Sequence, residues 1–383
     1  MRIVLVVPGG VDPPDAPGVE GVPRVIPFVH HLVRTLASAH DVHVIAVGHD
    51  PQPGAWQLFG ATVTNVPVGR HGKADIARVL ATVPGVVGRG GRPDVVHGLW
   101  ANLPGLAAVA AAKRWRCPSV VSVCGGEFAA HQDIEYGGGL RNGTRRLALT
   151  AARGATAVTV ATEWMRAHVQ AAGAPVSDIV PLGADPQLFT PAPAAVTGPF
   201  ALVHIGGLNR VKDQDLLLHA MALLVAAEPR ATLTIAGGDA LGGQHERLTS
   251  QLGIADHVRF LGHVAHDALP AVLQGASVHV LTSRHDAGPV AVLEAAACGV
   301  PTVGTDVGHV HDFAALSPAA AVAVHDRSPA ALADALLAVV SEPARRDTLA
   351  AAALDWAVAH DAAHTAATFE QLYRRLAASS ARR

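Results

Sequence analysis

The stretch Val280-Leu-Thr-Ser-Arg-His-Asp286-Ala-Gly-Pro289-Val-Ala-Val-Leu-Glu294-Ala-Ala-Ala-Cys-Gly299-Val-Pro301 decides the fold class. It reads as strand, loop, helix and stop: Pro289 suits the first helical position, Gly299 the C-terminal cap, and Pro301 the helix breaker just beyond it. Short β-branched runs like the one that opens it recur along the chain, at Ile3–Val7, Val42–Val47, Val95–His97, Val120–Val123, Ala157–Val160, Ala201–Ile205, Thr232–Ile235, Val258–Leu261, Thr302–Gly304 and Ala321–Val324. Between most of them lie Ala/Leu-rich stretches at helical spacing, such as Leu216, Ala220, Leu223 and Leu224. Continuous apolar strands alternating with amphipathic helices belong to parallel sheets covered on both faces, so the expected class is α/β, doubly wound.

The alternation pauses at Pro181-Leu-Gly-Ala-Asp-Pro-Gln-Leu-Phe189-Thr-Pro-Ala-Pro-Ala-Ala-Val-Thr-Gly-Pro199, which holds five of the 26 prolines and no helical period. A linker is expected over 186–198, between Rossmann-like domains at 1–185 and 199–355, with a helical segment at 356–383. Two domains suit 383 residues at ~100–200 residues each. Two such domains predict a cleft at the carboxyl ends of both sheets, where ligands of this class bind.

Half the residues are hydrophobic and 16% are charged, which excludes disorder. The run after Met1 is too short for a secretory signal, and the soft stretch Leu103–Ala112 falls short of the ~20 residues a spanning helix needs. A cytoplasmic protein is expected. Cys117, Cys124 and Cys298 lack metal-ligand spacing and read as reduced core residues. Net charge is −2, and no nucleic-acid partner is expected. Residues 1–190 carry 16 Lys+Arg against 13 Asp+Glu, and residues 191–383 carry 13 against 18. The excess in the first half centres on Arg89, Arg92, Lys113, Arg114, Arg116, Arg141, Arg145, Arg146 and Arg153, either a solvated face or a peripheral contact with an anionic membrane or acceptor.

In Ile205-Gly-Gly-Leu-Asn-Arg-Val-Lys-Asp213, Gly206 and Gly207 permit close backbone approach where a strand turns into a helix. Arg210 and Lys212 bring two cations to a helix N-terminus, a position suited to phosphate. As structural residues they would oppose the helix dipole. Asp213-Gln-Asp215 matches a D-x-D metal motif, but residues two apart on a helix lie ~200° apart and cannot share an ion. Asp286 is placed in a loop at the sheet's carboxyl edge, and Glu294 in a helix apolar nearly all round. A carboxylate there can accept both hydroxyls of a ribose diol while Gly288, Pro289 and Val290 face a diphosphate; the plain alternative is a solvated helix residue.

Among 22 histidines, His309-Val-His311-Asp312 and His30-His31 lack a third ligand at recognisable spacing, so no metal is expected. His97, beside Gly98-Leu-Trp100, is either a cleft residue or a hydrogen-bonded strand-end histidine. No G-x-G-x-x-G follows the first strand, which runs into Pro8-Gly9-Gly10, and neither G-x-x-x-x-G-K-[ST] nor G-x-S-x-G occurs. Dehydrogenase, kinase and serine hydrolase readings lose their specific support.

These residues together resemble glycosyltransferase family 4, retaining enzymes of the GT-B fold. Pro181-Leu-Gly-Ala-Asp185 with Phe189-Thr-Pro191 is similar to the family's P-x-G-x-D…F-x-P linker, and Gly206 to Asp213 to its phosphate-binding segment. Ala236-Gly-Gly-Asp239 and Phe260-Leu-Gly-His-Val264 resemble its strand ends, and Asp286 to Glu294 its E-x7-E signature. Trp356 and Tyr373 resemble the helical segment that crosses back to the first domain. The resemblance implies a metal-independent, cofactor-free hexosyltransferase acting on a nucleoside diphosphate sugar, UDP-linked, and an acceptor hydroxyl. It puts Arg210, Lys212 and Asp286 at the catalytic centre, Glu294 on the ribose, and Gly206, Gly207, Gly288, Pro289 and Val290 around the donor. Acceptor-side candidates are Gly9, Gly10, His97, Trp100 and Glu127. Asp286 stands where the signature has its first Glu, and Cys124 where the acceptor-side histidine is usual. A sugar-nucleotide-binding or regulatory protein of the same shape, or a non-transferring epimerase, is the alternative.

If the basic surface of residues 89–153 meets a lipid-linked acceptor, binding to liposomes should require anionic lipid and weaken with salt. Equal binding to neutral and anionic vesicles, or none to either, leaves a soluble acceptor.

Overall fold

The β-branched runs pair into two separate sheets in the computed structural model, which describes residues 1–13, 16, 24–69, 72–192 and 200–382. The first holds β1 (Arg2–Val7), β2 (Asp41–Val47), β3 (Gly54–Leu58), β4 (Ala61–Val66), β5 (Val95–Leu99), β6 (Ser119–Ser122), β7 (Ala157–Val160) and β8 (Asp178–Ile179), in the order β3-β4-β2-β1-β5-β6-β7-β8. All neighbours are parallel except β3 and β4. The second holds β9 (Ala201–Ile205), β10 (Thr232–Ala236), β11 (Val258–Phe260), β12 (Val278–Leu281), β13 (Thr302–Thr305) and β14 (Ala321–Val324), parallel throughout in the order β11-β10-β9-β12-β13-β14.

Ile3 to Val7 have no solvent exposure because β1 is covered on both faces. Ile3, Leu5 and Val7 enter one core with Val29 and Leu32 of the helix Pro27–Ala37 and Phe369 and Leu372 of the C-terminal helix. Val4 and Val6 enter another with Val79 and Val83 of the helix Lys73–Val87. Period-two alternation thus sends successive residues into two different cores.

The chain divides into two compact units, Met1–Pro181 with Ala362–Arg383, and Leu182–Asp361. The return segment begins at Ala362, not at Trp356. Trp356 lies inside the helix Pro343–Ala359, stacked on His360 at 4.3 Å between centroids and edge-on to Phe313 at 4.8 Å, so it stays in the second unit. Of the expected linker, residues 193–198 lie outside the described residues. Its first part is an ordered turn, with the N–H of Phe189 donating to Asp185 O at 2.9 Å and that of Gln187 to Asp185 Oδ1 at 2.9 Å.

His97 is a core residue rather than a site residue. It is fully buried on β5, with Nδ1 2.6 Å from the Tyr373 hydroxyl and Nε2 2.7 Å from Ser122 Oγ, itself 2.6 Å from Thr159 Oγ1. Burial pushes its pKa down to about 3, so the imidazole is neutral and serves as one donor and one acceptor. This relay fastens the helix Ala362–Ala381 to the sheet.

Tyr373→Phe should therefore destabilise the protein by about 1–3 kcal/mol in denaturant titration, because a buried imidazole nitrogen loses its partner. Since the folded state holds His97 well below the ordinary imidazole pKa, the unfolded chain binds more protons in acid. Stability should be full above pH ~6.5 and fall as pH drops toward 3, less steeply in His97→Gln. A midpoint insensitive to either change would contradict the relay.

Candidate functional site

In the second sheet β9 lies between β10 and β12, so the strand order reverses there and the loops after β9 and β12 part at the carboxyl edge, where α/β sheets bind ligands. After β9 the backbone closes onto the neighbouring loop: Gly206 N–H donates to Ala236 O and Leu208 N–H to Gly238 O, both at 2.9 Å. The close approach is made by Gly237, whose Cβ would fall 2.0 Å from Gly206 O; at Gly207 a Cβ would meet nothing nearer than 3.7 Å. Asn209 Oδ1 accepts from the N–H groups of Val211 at 3.2 Å and Lys212 at 3.1 Å, a local turn that sets out Arg210 and Lys212. Arg210 is exposed and has no hydrogen bond or ion pair among the described residues. The helix Gln214–Ala227 begins after Asp213, its N-cap. The two cations thus precede the helix instead of riding on its first turn.

The loop after β12 is tied to this turn. Thr282 Oγ1 donates to Lys212 O and Arg284 N–H to Val211 O, each at 2.8 Å, and Lys212 Nζ lies 2.6 Å from Asp286 Oδ2, to which Ser283 Oγ also donates at 3.3 Å. Arg327 joins the same loop, donating to Ser283 O at 3.0 Å while pairing with Asp213. Asp215 instead meets His245 at 3.3 Å, so the D-x-D carboxylates are held apart. Among the described residues no three His, Cys, Asp or Glu side chains are grouped to hold a metal ion.

Pro289 is the N-cap of the helix Val290–Ala297, one residue earlier than its expected place, flanked by half-buried Gly288 and Val290. Gly308, at φ 51°, packs beneath: a Cβ there would lie 2.6 Å from both Asp286 O and Pro289 Cδ. The helix ends in a Schellman turn, with Val300 N–H bound to Ala295 O and Gly299 N–H to Ala296 O, both at 2.9 Å. Glu294 is 4% exposed, and His266 Nε2 sits 2.7 Å from its Oε1. His266 escaped sequence reading. Its signal was its place, two residues past the Phe260–Val264 strand end, and its ring is braced edge-on by Phe189 at 5.2 Å. His309 is buried near this loop, while His311 and His325 both face Asp306, at 2.7 and 3.0 Å.

In the first unit the reversal falls at β1, between β2 and β5. Gly9 and Gly10 leave β1 at φ 104° and 68°, and a Cβ on Gly10 would strike Ile26 at 2.4 Å. Trp100 leaves β5 at φ 69° and lines a pocket of about 350 Å³ with Asn102, Glu127, Tyr136, Thr144 and Ala148. Glu127 is buried, which raises its pKa. Four backbone donors oppose that shift: its own N–H first, then those of Ala101 at 3.0 Å, Cys124 at 3.2 Å and Gly125 at 2.7 Å. It shapes the pocket wall by gathering those amides. The basic side chains of residues 89–153 are exposed, and several cap carbonyls, as Arg153 does Gly173 O at 2.8 Å.

Residues 25–185 match the family described as "Glycosyl transferase 4-like domain" and residues 189–356 that described as "Glycosyl transferases group 1". The D-inositol 3-phosphate glycosyltransferase of Geodermatophilus obscurus is 30% identical over 382 residues, spanning 89% of this chain and 82% of its own. This chain belongs to the family-4-like glycosyltransferases. The glycosyltransferase shares its GT-B fold with sucrose-phosphate synthase from Thermosynechococcus elongatus (TM-score 0.81, 20% identity, 99% of this chain and 100% of that one). It likewise resembles Anabaena HepE, solved in complex with UDP-glucose (TM-score 0.73, 17% identity, 98% and 100%). Among its described residues no helix is long and apolar enough to cross a membrane.

The Lys212–Asp286 pair is partly exposed, at 22% and 17% of the side chains, and pairs of this kind contribute about 0–1 kcal/mol. Asp286→Asn should therefore shift unliganded stability by no more than about 1 kcal/mol in denaturant titration. A larger loss would make the pair a structural bridge and not a feature of the site.

Proposed function

We propose that this glycosyltransferase moves a hexose from a UDP-sugar to an acceptor hydroxyl, with retention at the anomeric carbon and without a metal ion. The observation that carries the reading is the meeting of Lys212, on the turn that also carries Gly206, Gly207 and Arg210, with Asp286 of the Asp286–Glu294 segment at the point where the second sheet's strand order reverses. Arg210 and Lys212 supply the positive charge that a departing diphosphate needs, which is the task a metal would otherwise perform. Glu294, with Oε1 held by His266, keeps Oε2 for a ribose hydroxyl. The HepE structure, a likeness of fold, holds UDP-glucose and favours a uridine nucleotide.

In this reading the bond from the anomeric carbon to the phosphate oxygen breaks, and the acceptor oxygen bonds to the same face. The acceptor proton passes to the departing phosphate oxygen, leaving UDP and the glycoside; no protein nucleophile takes part. Asp286 orients Lys212 and faces the donor sugar with Gly288, Pro289 and Val290. The acceptor is assigned to the first unit's pocket, at Trp100 and Glu127, with Gly9 and Gly10 shaping the neighbouring loop.

Calorimetric titration with UDP, GDP and ADP sugars in EDTA tests the donor, and slow UDP-sugar hydrolysis without acceptor separates a transferase from a pure binder. Lys212→Ala and Arg210→Ala should each lower turnover on the order of 10²-fold, by analogy with loss of one oxyanion donor, without lowering the melting temperature. Activity abolished by EDTA and restored by a divalent cation would overturn the metal-free reading.

A further inference from the structure

Beneath the Gly206–Gly207 turn lies a buried polar pair that transfer does not by itself require. His204 on β9 and Gln214, first residue of the helix Gln214–Ala227, both have 0% exposure. His204 Nδ1 is 2.9 Å from the Val280 carbonyl oxygen, which can only accept, so the proton sits on Nδ1. Burial pushes this imidazole down to about 4, leaving it neutral with Nε2 as an acceptor. The Gln214 amide nitrogen lies 3.1 Å from that Nε2 and 3.1 Å from the Gly207 carbonyl oxygen. Two acceptors facing one atom identify it as the NH2 group and fix the amide orientation. The amide oxygen is buried and has no partner among the described residues, a cost that an apolar side chain of similar size would avoid.

The bond to Gly207 has a geometric consequence. Leu208 N–H is held by Gly238 O, so Gln214 fixes the other end of the same peptide plane; on the far side Gly206 N–H is held by Ala236 O. Between these anchored points the Gly207 N–H has no acceptor among the described residues, on an exposed residue whose neighbour Gly206 faces the Lys212 stem: a Cβ on Gly206 would lie 3.5 Å from Lys212 Cε. We propose that His204 and Gln214 are positioning residues: they hold the Gly207 carbonyl inward and so present the Gly207 N–H, with Lys212, to the diphosphate of the donor. This rests on the donor reading above. His204 acts by orienting Gln214, and Val280 O ties that orientation to β12.

Three variants and the wild type, titrated calorimetrically with UDP well below each melting temperature, test it. Gln214→Glu keeps the shape and can still pair with a protonated His204, but it has no donor for the Gly207 carbonyl and repels it. Gln214→Met removes both bonds. His204→Leu leaves Gln214 without its second acceptor. UDP affinity should fall roughly tenfold in Gln214→Glu and Gln214→Met and less in His204→Leu, the scale of one lost hydrogen bond. KM for the UDP-sugar should rise while kcat stays nearly unchanged. Lowered melting temperatures with wild-type affinity in the folded variants would make the pair purely structural and overturn the proposal. A wild type that binds no UDP, GDP or ADP would instead remove the donor reading itself.

Discussion

Two backbone carbonyls, those of Val211 and Lys212, accept hydrogen bonds from the β12 loop, and the second unit's candidate site depends on that seam. Parallel neighbours β9 and β12 deliver their loops to the same edge, where backbone groups leaving the ladder would otherwise lack partners. Arg284 N–H and Thr282 Oγ1 satisfy one loop with groups from the other. Once the loops are joined, Lys212 and Asp286 meet at 2.6 Å, with Ser283 Oγ on the same carboxylate oxygen, and Arg327 closes the arrangement from beyond β14. The cations are thus held by neutral backbone bonds, and the ion pair itself carries little of the stability.

Buried polar groups play comparable parts in both units, in opposite directions. In the first, the His97, Ser122 and Thr159 relay is closed by Tyr373 and fixes a helix that arrives from the far end of the chain. In the second, His204 and Gln214 support a turn ten residues or fewer away in sequence. Each histidine is neutral because burial disfavours its charge, so each can act only as a donor at one nitrogen and an acceptor at the other. A neutral imidazole of fixed tautomer is well suited to joining a carbonyl or hydroxyl to a second group inside a core.

The fold was legible because the doubly wound pattern writes itself into composition: buried parallel strands need continuous β-branched runs, and crossover helices need apolar stripes. The strands β3 and β4 were not legible. They form an antiparallel edge hairpin, turning at Phe59 and Gly60 with φ 50° and 87°, and Gln57, Thr62 and Thr64 break the apolar run because one face meets solvent. The two residues of β8 are too few to carry a pattern. At the candidate site, the glycines, Arg210, Lys212, Asp286 and Glu294 stood out because their types are costly or unusual at a strand end or in an apolar helix. His266 did not, since its meaning depends on Glu294, 28 residues away.

By itself, then, the sequence determined the alternation of strands and helices, the stop of the helix carrying Glu294 and its start to within one residue, and the family to which the chain belongs, because propensity, capping and hydrophobic period are local properties. Only the tertiary structure decided that His97 is a core residue, that the return to the first unit waits until Ala362, and that Glu294 is buried against His266. It alone placed Gln214 under Gly207. These depend on which distant segments share a sheet edge or a core, and burial of a polar side chain is settled by the partners that packing brings to it.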